Sequence, residues 1–498
     1  MLMVVGTASS VGKSVLVTAL CRIFAQDAIR VAPFKAQNMS NNAAVTPDGL
    51  EIGRAQAEQA AAAGLEPEVA MNPILLKPQG DRTSHVILDG RPAGVLTSAD
   101  FIRRKRDFWP HVERALHSLR ERYDLVVVEG AGSPAEPNLQ ATDIVNMRVA
   151  RHAGAVTLLV GDIDRGGVFA HFLGTLELLA PEDRVLLQGL VVNRFRGDPA
   201  LLSPAIEVIE RRTGVPVLGV IPWLDDLGVA DEDAVALERH REAQDRPAPN
   251  VDAVVDIAAI QLPHIANFDD LDPLKAEPGV RVRWVRTTAE LKTPDLIVLP
   301  GTRATIADLE WLRAAGLAEA ITARVDVGAH VLGICGGYQM LGERLIDIEG
   351  IEAPAGTAAL GLGLLPLETE FHAAKQTRRT SGRMLFAPGI WSGASGLPIA
   401  GYEIHMGTSR PTEGNASPGL MDVDGRIDGA VSPDGGAAGT YLHGLFHNDA
   451  LRAELLRALG RSESSTASAA AREAAFDRLA TSVREHLDLA RIRQLLGV

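Results

Sequence analysis

Cysteine is almost absent from this chain: its 498 residues include only Cys21 and Cys335, far apart and in unlike contexts. No CxxC pair and no histidine cluster accompanies them, so neither a disulfide scaffold nor a structural zinc site is expected, and a reducing cytoplasm fits best. Positive charge is also in short supply. Lys and Arg number 49 against 63 Asp and Glu, leaving a net charge of −14. Nonspecific nucleic-acid binding needs a basic surface to displace counterions, and this balance argues against it. An anionic small-molecule substrate stays compatible, because a local basic cluster can outweigh the global sign. No apolar run is long enough to cross a bilayer, so no membrane partner is expected. The opening MLMVVGTASS lacks the basic segment of a signal peptide, and its apolar run stops at Gly6, which reads as a buried strand.

The chain does have ample apolar material, 46% hydrophobic against 22% charged, in the range of soluble globular proteins. Its length exceeds one ordinary core and predicts two or three domains. Apolar runs at 1–6, 124–130, 155–162, 185–193 and 215–222 alternate with helical segments. Continuous apolar runs of this kind predict parallel strands buried on both faces, with functional residues at their C-terminal ends. The charged, Ala- and Pro-rich stretch at about 224–250 predicts a solvated helix and a linker. A second α/β pattern follows it, in VDIAAIQLP, VRVRWVR, DLIVLPG and HVLGICGG. Helical periodicity near 474–496 predicts a helix docking back on the body. The expected division is 1–225, a linker at 226–250, 251–455, and a helical tail at 456–498. No internal repeat is visible, and nothing indicates an oligomeric state.

The first strand runs into Gly6-Thr7-Ala8-Ser9-Ser10-Val11-Gly12-Lys13-Ser14 and then a helical segment. A Gly-rich turn at a helix start presents free N–H groups and a positive dipole end to phosphate oxygens. Lys13 would add a point charge, and Ser14 a hydroxyl ligand for Mg²⁺. The GxxxxGK[ST] spacing is missed by one residue, with Thr7 standing at the usual first glycine. Glu129, at the end of DLVVVEG, is the candidate carboxylate for Mg²⁺. Asn193 is a candidate adenine contact, a turn-forming Asn being the plain alternative. Lys35, Gln37 and Asn38, with Asp162, Asp164 and Arg165 at another strand end, are candidates for a polar substrate cleft, although such runs are often ordinary loops. The basic run 103–106 reads as a solvated helix face.

HVLGICGGYQMLGERL reads as strand, sharp turn and helix, with Cys335 at the turn. A nucleophile on such an elbow projects from the sheet, its strained backbone favours glycine neighbours, and the helix start behind it favours a thiolate. N–H groups of Gly336 and Gly301 would stabilise an oxyanion. The alternative, a buried structural cysteine, does not account for the elbow. A base is needed, and both His443 and His405 follow short apolar runs.

Taken in order, PFKAQNMSNN, NPILLKP, EGAGSPAE, DIVNM, DIDRGGVFA, FRGD, LPHIANFDDLDPL, GICGGYQMLG, GYEIHMG and GTYLHGLF resemble the cobyric acid synthase family, glutamine-hydrolysing enzymes of cobalamin biosynthesis. The likeness runs from about residue 3 to 450. It implies an α/β chain with an N-terminal P-loop, parallel-sheet synthetase domain similar to dethiobiotin synthetase and a C-terminal class I glutamine amidotransferase-like domain. It further implies amidation of four peripheral carboxylates (b, d, e and g) of adenosylcobyrinic acid a,c-diamide, a corrinoid polycarboxylate, with one ATP and one glutamine for each. By the same likeness Cys335 matches the nucleophile and His443 the catalytic histidine. Two positions depart from related patterns. Leu445 stands where many triad amidotransferases place Glu, so a Cys–His dyad or an orienting group from elsewhere is expected. Ser10 stands where the loop pattern SDxGKS has Asp. Rival readings are a sibling amidase acting on the a and c carboxylates, and a nucleotide switch carrying an inactive amidotransferase domain.

Overall fold

The computed structural model describes residues 1–79, 83–224, 255–415, 417–461 and 467–497. Strands form wherever the long apolar runs predict them. Leu2–Gly6, Val31–Phe34, Leu125–Glu129, Val156–Asp162, Leu187–Phe195 and Val217–Pro222 build one parallel six-stranded sheet, with Leu2–Gly6 inside it between Val156–Asp162 and Leu125–Glu129. Alternate residues of each strand point to opposite faces. Met3, Val5, Val126 and Val128 therefore meet Val112, Leu116 and Phe172 from helices Ser98–Arg122 and Val168–Leu178. Leu2, Val4, Leu125 and Val127 meet Leu16, Val17 and Leu20 of helix Lys13–Gln26. Helices on both faces explain why these runs are apolar throughout.

A second six-stranded sheet follows the order Val280–Val285, Val255–Ile260, Leu296–Leu299, His330–Ile334, Ala437–Thr440, Ala430–Val431. Its first five strands are parallel and the last pair is antiparallel. The expected linker at 226–250 lies outside the described residues. Helix Asp449–Ala458 straddles the boundary expected at 455. The tail then returns to the first half, where helix Ser468–His486 lies on helix Lys13–Gln26. Leu479, Ala480 and Val483 join the core there, and Arg22 bridges to Glu473 and Asp477 at 2.8 and 2.7 Å. Cys21 is buried in the same core, and burial pushes its thiol pKa up, so it is inert. In the basic run, Arg103, Arg104 and Arg106 are exposed while the Lys105 stem is buried, as a helix face requires.

The halves meet along small elements with weak sequence periodicity. The hairpin Ala43–Val45/Glu51–Gly53 places Ala43 and Val45 against Tyr402 and Ile404 of strand Pro398–His405. Asn267 fastens the seam with polar bonds. Its backbone N–H donates to Asn42 Oδ1 (2.7 Å), and its side-chain amide donates to Ala43 O (3.0 Å) and to Tyr402 Oη (2.9 Å).

One buried ion cluster locks the segment that carries His443. Arg452 Nε and Arg461 Nη1 donate to the two oxygens of Glu277 at 2.6 and 2.7 Å, all three residues being almost fully buried. Removing one member of such a cluster leaves charge uncompensated, at about 3–5 kcal/mol. Glu277→Ala should lower stability by about that amount, read as a fall in the urea midpoint, whereas Glu277→Gln should lose less. An unchanged midpoint for Glu277→Ala would contradict this role.

Candidate active site

At the end of strand Leu2–Gly6 the chain wraps into a loop whose Ser10 and Gly12 take left-handed backbone angles (φ 57° and 96°) before helix Lys13–Gln26 begins. A Cβ at Gly12 would collide with the Asn193 amide, so the glycine is sterically required. Asn193 Nδ2 donates to Val11 O at 2.8 Å, which makes it a brace beneath the loop. Thr7 lies in the same turn, its N–H donating to Val160 O (2.9 Å) and its buried hydroxyl without a partner among the described residues. Lys13 Nζ folds over the loop toward Ala8 O and Gly132 O, at 3.0 and 3.3 Å.

Glu129 is the centre of this half. Its Oε1 accepts from Ser14 Oγ (2.9 Å) and Lys35 Nζ (2.8 Å), and its Oε2 from Gln59 Nε2 (2.6 Å). The two expected Mg²⁺ ligands, 115 residues apart in sequence, thus touch. A hydroxyl and a carboxylate beside a phosphate loop are hard oxygen donors of the kind Mg²⁺ takes when phosphates supply further ligands, so the residues fit that ion.

The cleft candidates divide into several roles. Lys35 belongs to the Glu129 cluster. Asn38 is buried and donates to Gln56 Oε1 (3.1 Å). Asp162 is buried as well, accepting from Arg194 (2.8 Å) and from the Asp164 N–H (2.9 Å), and these three are structural in their contacts. Gln37 keeps a buried Oε1 without a partner among the described residues. Asp164 takes Arg196 at the exposed rim (3.2 Å), and exposed Arg165 pairs loosely with Asp162 at 3.8 Å.

In the other half, strand His330–Ile334 ends at Cys335, whose φ of 53° and ψ of −110° are strained for a side chain of any size. Such a conformation costs about 1–3 kcal/mol and persists only where its surroundings enforce it. A Cβ at Gly337 would strike the Leu299 carbonyl, so the elbow can pack this close to the neighbouring strand only with glycine there. The N–H groups of Gly301 and Gly336 donate to no protein acceptor among the described residues, and both border Cys335.

The two histidines separate clearly. His405 has one nitrogen 3.1 Å from Gly407 O and the other 3.4 Å from Glu403, and its ring stacks on Tyr441. His443 borders the same Gly301 as Cys335, whose Sγ donates to Ile404 O at 3.5 Å, and its ring is stacked on Tyr402. The orienting group that sequence reasoning could not locate is Asp270. Its Oδ2 lies 2.7 Å from His443 Nδ1, and its Oδ1 accepts the Gly444 N–H at 2.8 Å. Burial disfavours a charged ring here, but the Asp270 carboxylate outweighs it, and the His443 pKa rises to about 10. Asp270 lies 173 residues before its partner, in LPHIANFDDLDPL, where two adjacent acids within an apolar run were the available signal. Adjacent Asp269 reaches the other way and accepts from Arg54 Nε at 2.6 Å.

A phosphate-type loop on one sheet and a Cys–His–Asp constellation on the other define a nucleotide-binding domain joined to a glutamine amidotransferase domain. Family models agree: residues 2–236 match the CobQ/CobB/MinD/ParA nucleotide binding domain, and 256–451 the CobB/CobQ-like glutamine amidotransferase domain. The chain is 54% identical to a cobyric acid synthase of Chloroflexus aurantiacus, over 99% of each chain. It is 48% identical to that of Sorangium cellulosum (100% of this chain, 98% of the relative) and 46% to that of Dehalococcoides mccartyi (100% and 99%). The chain belongs to the cobyric acid synthase family. Among the described residues no helix is long and apolar enough to cross a membrane.

Asp270→Asn keeps the shape but removes the charge that holds His443 protonated. Glutamine hydrolysis should fall by roughly a hundredfold or more. Because Asp270 raises the His443 pKa, its loss should shift the alkaline limb of the kcat profile to lower pH. A profile unchanged in both height and position would contradict the role given to Asp270.

Proposed function

We propose that this protein uses ATP and glutamine to amidate the b, d, e and g carboxylates of adenosylcobyrinic acid a,c-diamide, in the cytoplasm, giving adenosylcobyric acid. Residues 1–225 form the synthetase, 251–455 the amidotransferase, and 456–498 a helical extension. The reading is supported by a continuous line of contacts between the two sites. Asp270 holds His443; Asp269 holds Arg54 on helix Arg54–Ala62; and Gln59, on that same helix, holds Glu129.

A carboxylate is a poor electrophile because its oxygen leaves badly, and phosphorylation cures this. One oxygen of the substrate carboxylate attacks the γ-phosphorus of ATP, the bond to ADP breaks, and an acyl phosphate forms. Lys13 and the loop N–H groups bind the phosphates and offset charge that builds on them. Ser14 and Glu129 would hold Mg²⁺, which when bound neutralises phosphate charge. Gln37 and Arg165 are the cleft residues left to meet the corrinoid.

At the second site the Cys335 thiolate attacks the side-chain amide carbon of glutamine, with the oxyanion at the Gly301 and Gly336 N–H groups. Protonated His443 gives its proton to the leaving nitrogen, and ammonia departs. The neutral ring then draws a proton from water, which hydrolyses the thioester to glutamate. Ammonia attacks the acyl carbon, phosphate leaves, and the amide remains. The full-length relatives named cobyric acid synthase favour this substrate over the a,c-diamide reaction, although the family models span both groups. Lys13, Cys335 and His443 together speak against an inactive amidotransferase domain.

Cys335→Ala should abolish glutamine-supported amidation and retain amidation driven by ammonium salts, while Lys13→Ala should lose both. Mass spectrometry of the corrinoid should show four successive losses of about one mass unit, each an OH replaced by NH₂. Absence of ammonium-driven amidation in the unaltered enzyme would sink the substrate assignment.

A further inference from the structure

Two loops beside Cys335 are fastened to each other by a carboxylate that is not part of the Cys–His–Asp constellation. Segments 264–266 and 301–303 lie side by side, with Ile265 and Thr302 paired as a short antiparallel bridge. The Ala266 N–H donates to Gly301 O at 2.8 Å, and the Arg303 N–H donates to His264 O at 3.0 Å. A Cβ at Gly301 would lie 3.1 Å from both Ala266 O and His443 Cε1, and 3.7 Å from the Cys335 Cβ. The pairing of the two segments therefore sets where Gly301 stands relative to the nucleophile and its histidine.

Asp308 closes that junction. It lies in the first turn of helix Thr305–Ala314, is wholly buried, and is held in place by the core residues Ile306, Leu309 and Leu312 of the same helix. Its Oδ1 lies 2.7 Å from His264 Nδ1, and its Oδ2 accepts the His264 backbone N–H at 3.2 Å and the Thr302 hydroxyl. The Thr302 oxygen in turn accepts the Ala304 N–H at 3.1 Å. Thr302 follows Gly301 in the chain and also packs on Gly336, where a Cβ would lie 2.6 Å from Thr302 Cγ2. One carboxylate thus grips both loops, and through Thr302 it reaches the surroundings of both oxyanion glycines. Asp308 itself is not among the residues lining the pocket over Cys335, whereas Thr302 is. Burying a carboxylate is costly, and a fully bonded one makes its surroundings rigid.

We propose that Asp308 is a positioning residue for glutamine hydrolysis, acting through Thr302 and His264 to set the Gly301 and Gly336 N–H groups where the oxyanion forms. As the Cys335 sulfur bonds the amide carbon, the carbonyl π pair moves onto oxygen, and these donors meet the new charge. Such stabilisation depends on donors aimed in advance, and a displacement of about 1 Å costs on the order of a hundredfold in rate. A contribution made only in the transition state lowers kcat and kcat/KM together and leaves KM unchanged. This inference rests on the glutaminase reading of Cys335.

The test compares two reactions of the same sulfur in the intact enzyme. Glutamine hydrolysis builds an oxyanion; alkylation by iodoacetamide joins the sulfur to a methylene carbon, expels iodide and builds none. In Asp308→Asn, kcat for glutamine hydrolysis should fall about a hundredfold, with KM and the iodoacetamide rate at Cys335 each within about twofold. Thr302→Val keeps the methyl packed on Gly336 and removes the hydroxyl, so it should reproduce that loss. If Asp308 acts through Thr302, the double variant should lose no more than the worse single one. Ammonium-driven amidation, which bypasses Cys335, reports that each variant is folded. Equal slowing of both reactions, undiminished hydrolysis, or losses that multiply in the double variant would overturn the assignment. If Cys335→Ala still hydrolyses glutamine, the underlying glutaminase reading fails instead, and that result is distinguishable.

Discussion

The hydrogen bond between Asp270 and His443 is the constraint from which the second site follows. Both side chains are about 3% exposed, so neither can exchange its partner for water. A lone imidazole at that depth would be neutral and free to rotate; the carboxylate gives it a charge and a direction. The Gly444 N–H bonds the second oxygen of Asp270, and Tyr402 covers the ring face, which fixes His443 beside Gly301, the glycine that also borders Cys335. The glycine elbow then needs only to project the sulfur. Many related amidotransferases carry the acid two residues after the histidine; here Leu445 fills that place as a core residue, and the acid comes from the short helical turn Phe268–Leu271.

That origin has a structural consequence. Phe268–Leu271 follows Asn267, whose polar bonds fasten the seam, and contains Asp269, which grips Arg54. The element that orients the histidine is thus also the element that registers the two halves. Elsewhere the seam is ion-paired as well as apolar, with Glu51 buried between Lys77 and Lys375. Burial lowers the Lys77 pKa to about 7 despite its carboxylate partner, the mark of a water-poor interior. Such pairs add little net stability but penalise misalignment heavily, which suits an interface that has to keep two distant sites in register.

The sequence disclosed what is local. Each long apolar run became a strand because continuous burial on both faces has a one-dimensional signature, and the loop before Lys13 and the turn at Cys335 are strings of adjacent residues. The Ser14–Glu129 pairing was readable because Glu129 ends one parallel strand and Ser14 opens the helix that the loop after the neighbouring strand leads into. Contacts that fold distant segments together were hidden. Asn193 looked like a strand-end ligand and is a loop brace; Asp162 and Asn38 looked like cleft residues and carry internal hydrogen bonds. Asp270 acquires meaning only through a partner brought close by tertiary structure, and the short seam strands have too few residues for a period to show.

Whether the two halves operate as one device is tested most directly by following the nitrogen. The enzyme would turn over with glutamine labelled with ¹⁵N in its side-chain amide, in the presence of excess unlabelled ammonium, and the corrinoid amides would be read by mass spectrometry. If ammonia passes from Cys335 to the acyl phosphate inside the protein, the new amides should retain the label nearly undiluted at every ammonium concentration that still leaves glutamine the preferred donor. Amides carrying the isotope ratio of the bulk solution would contradict it, because the nitrogen would then have left the protein before being used.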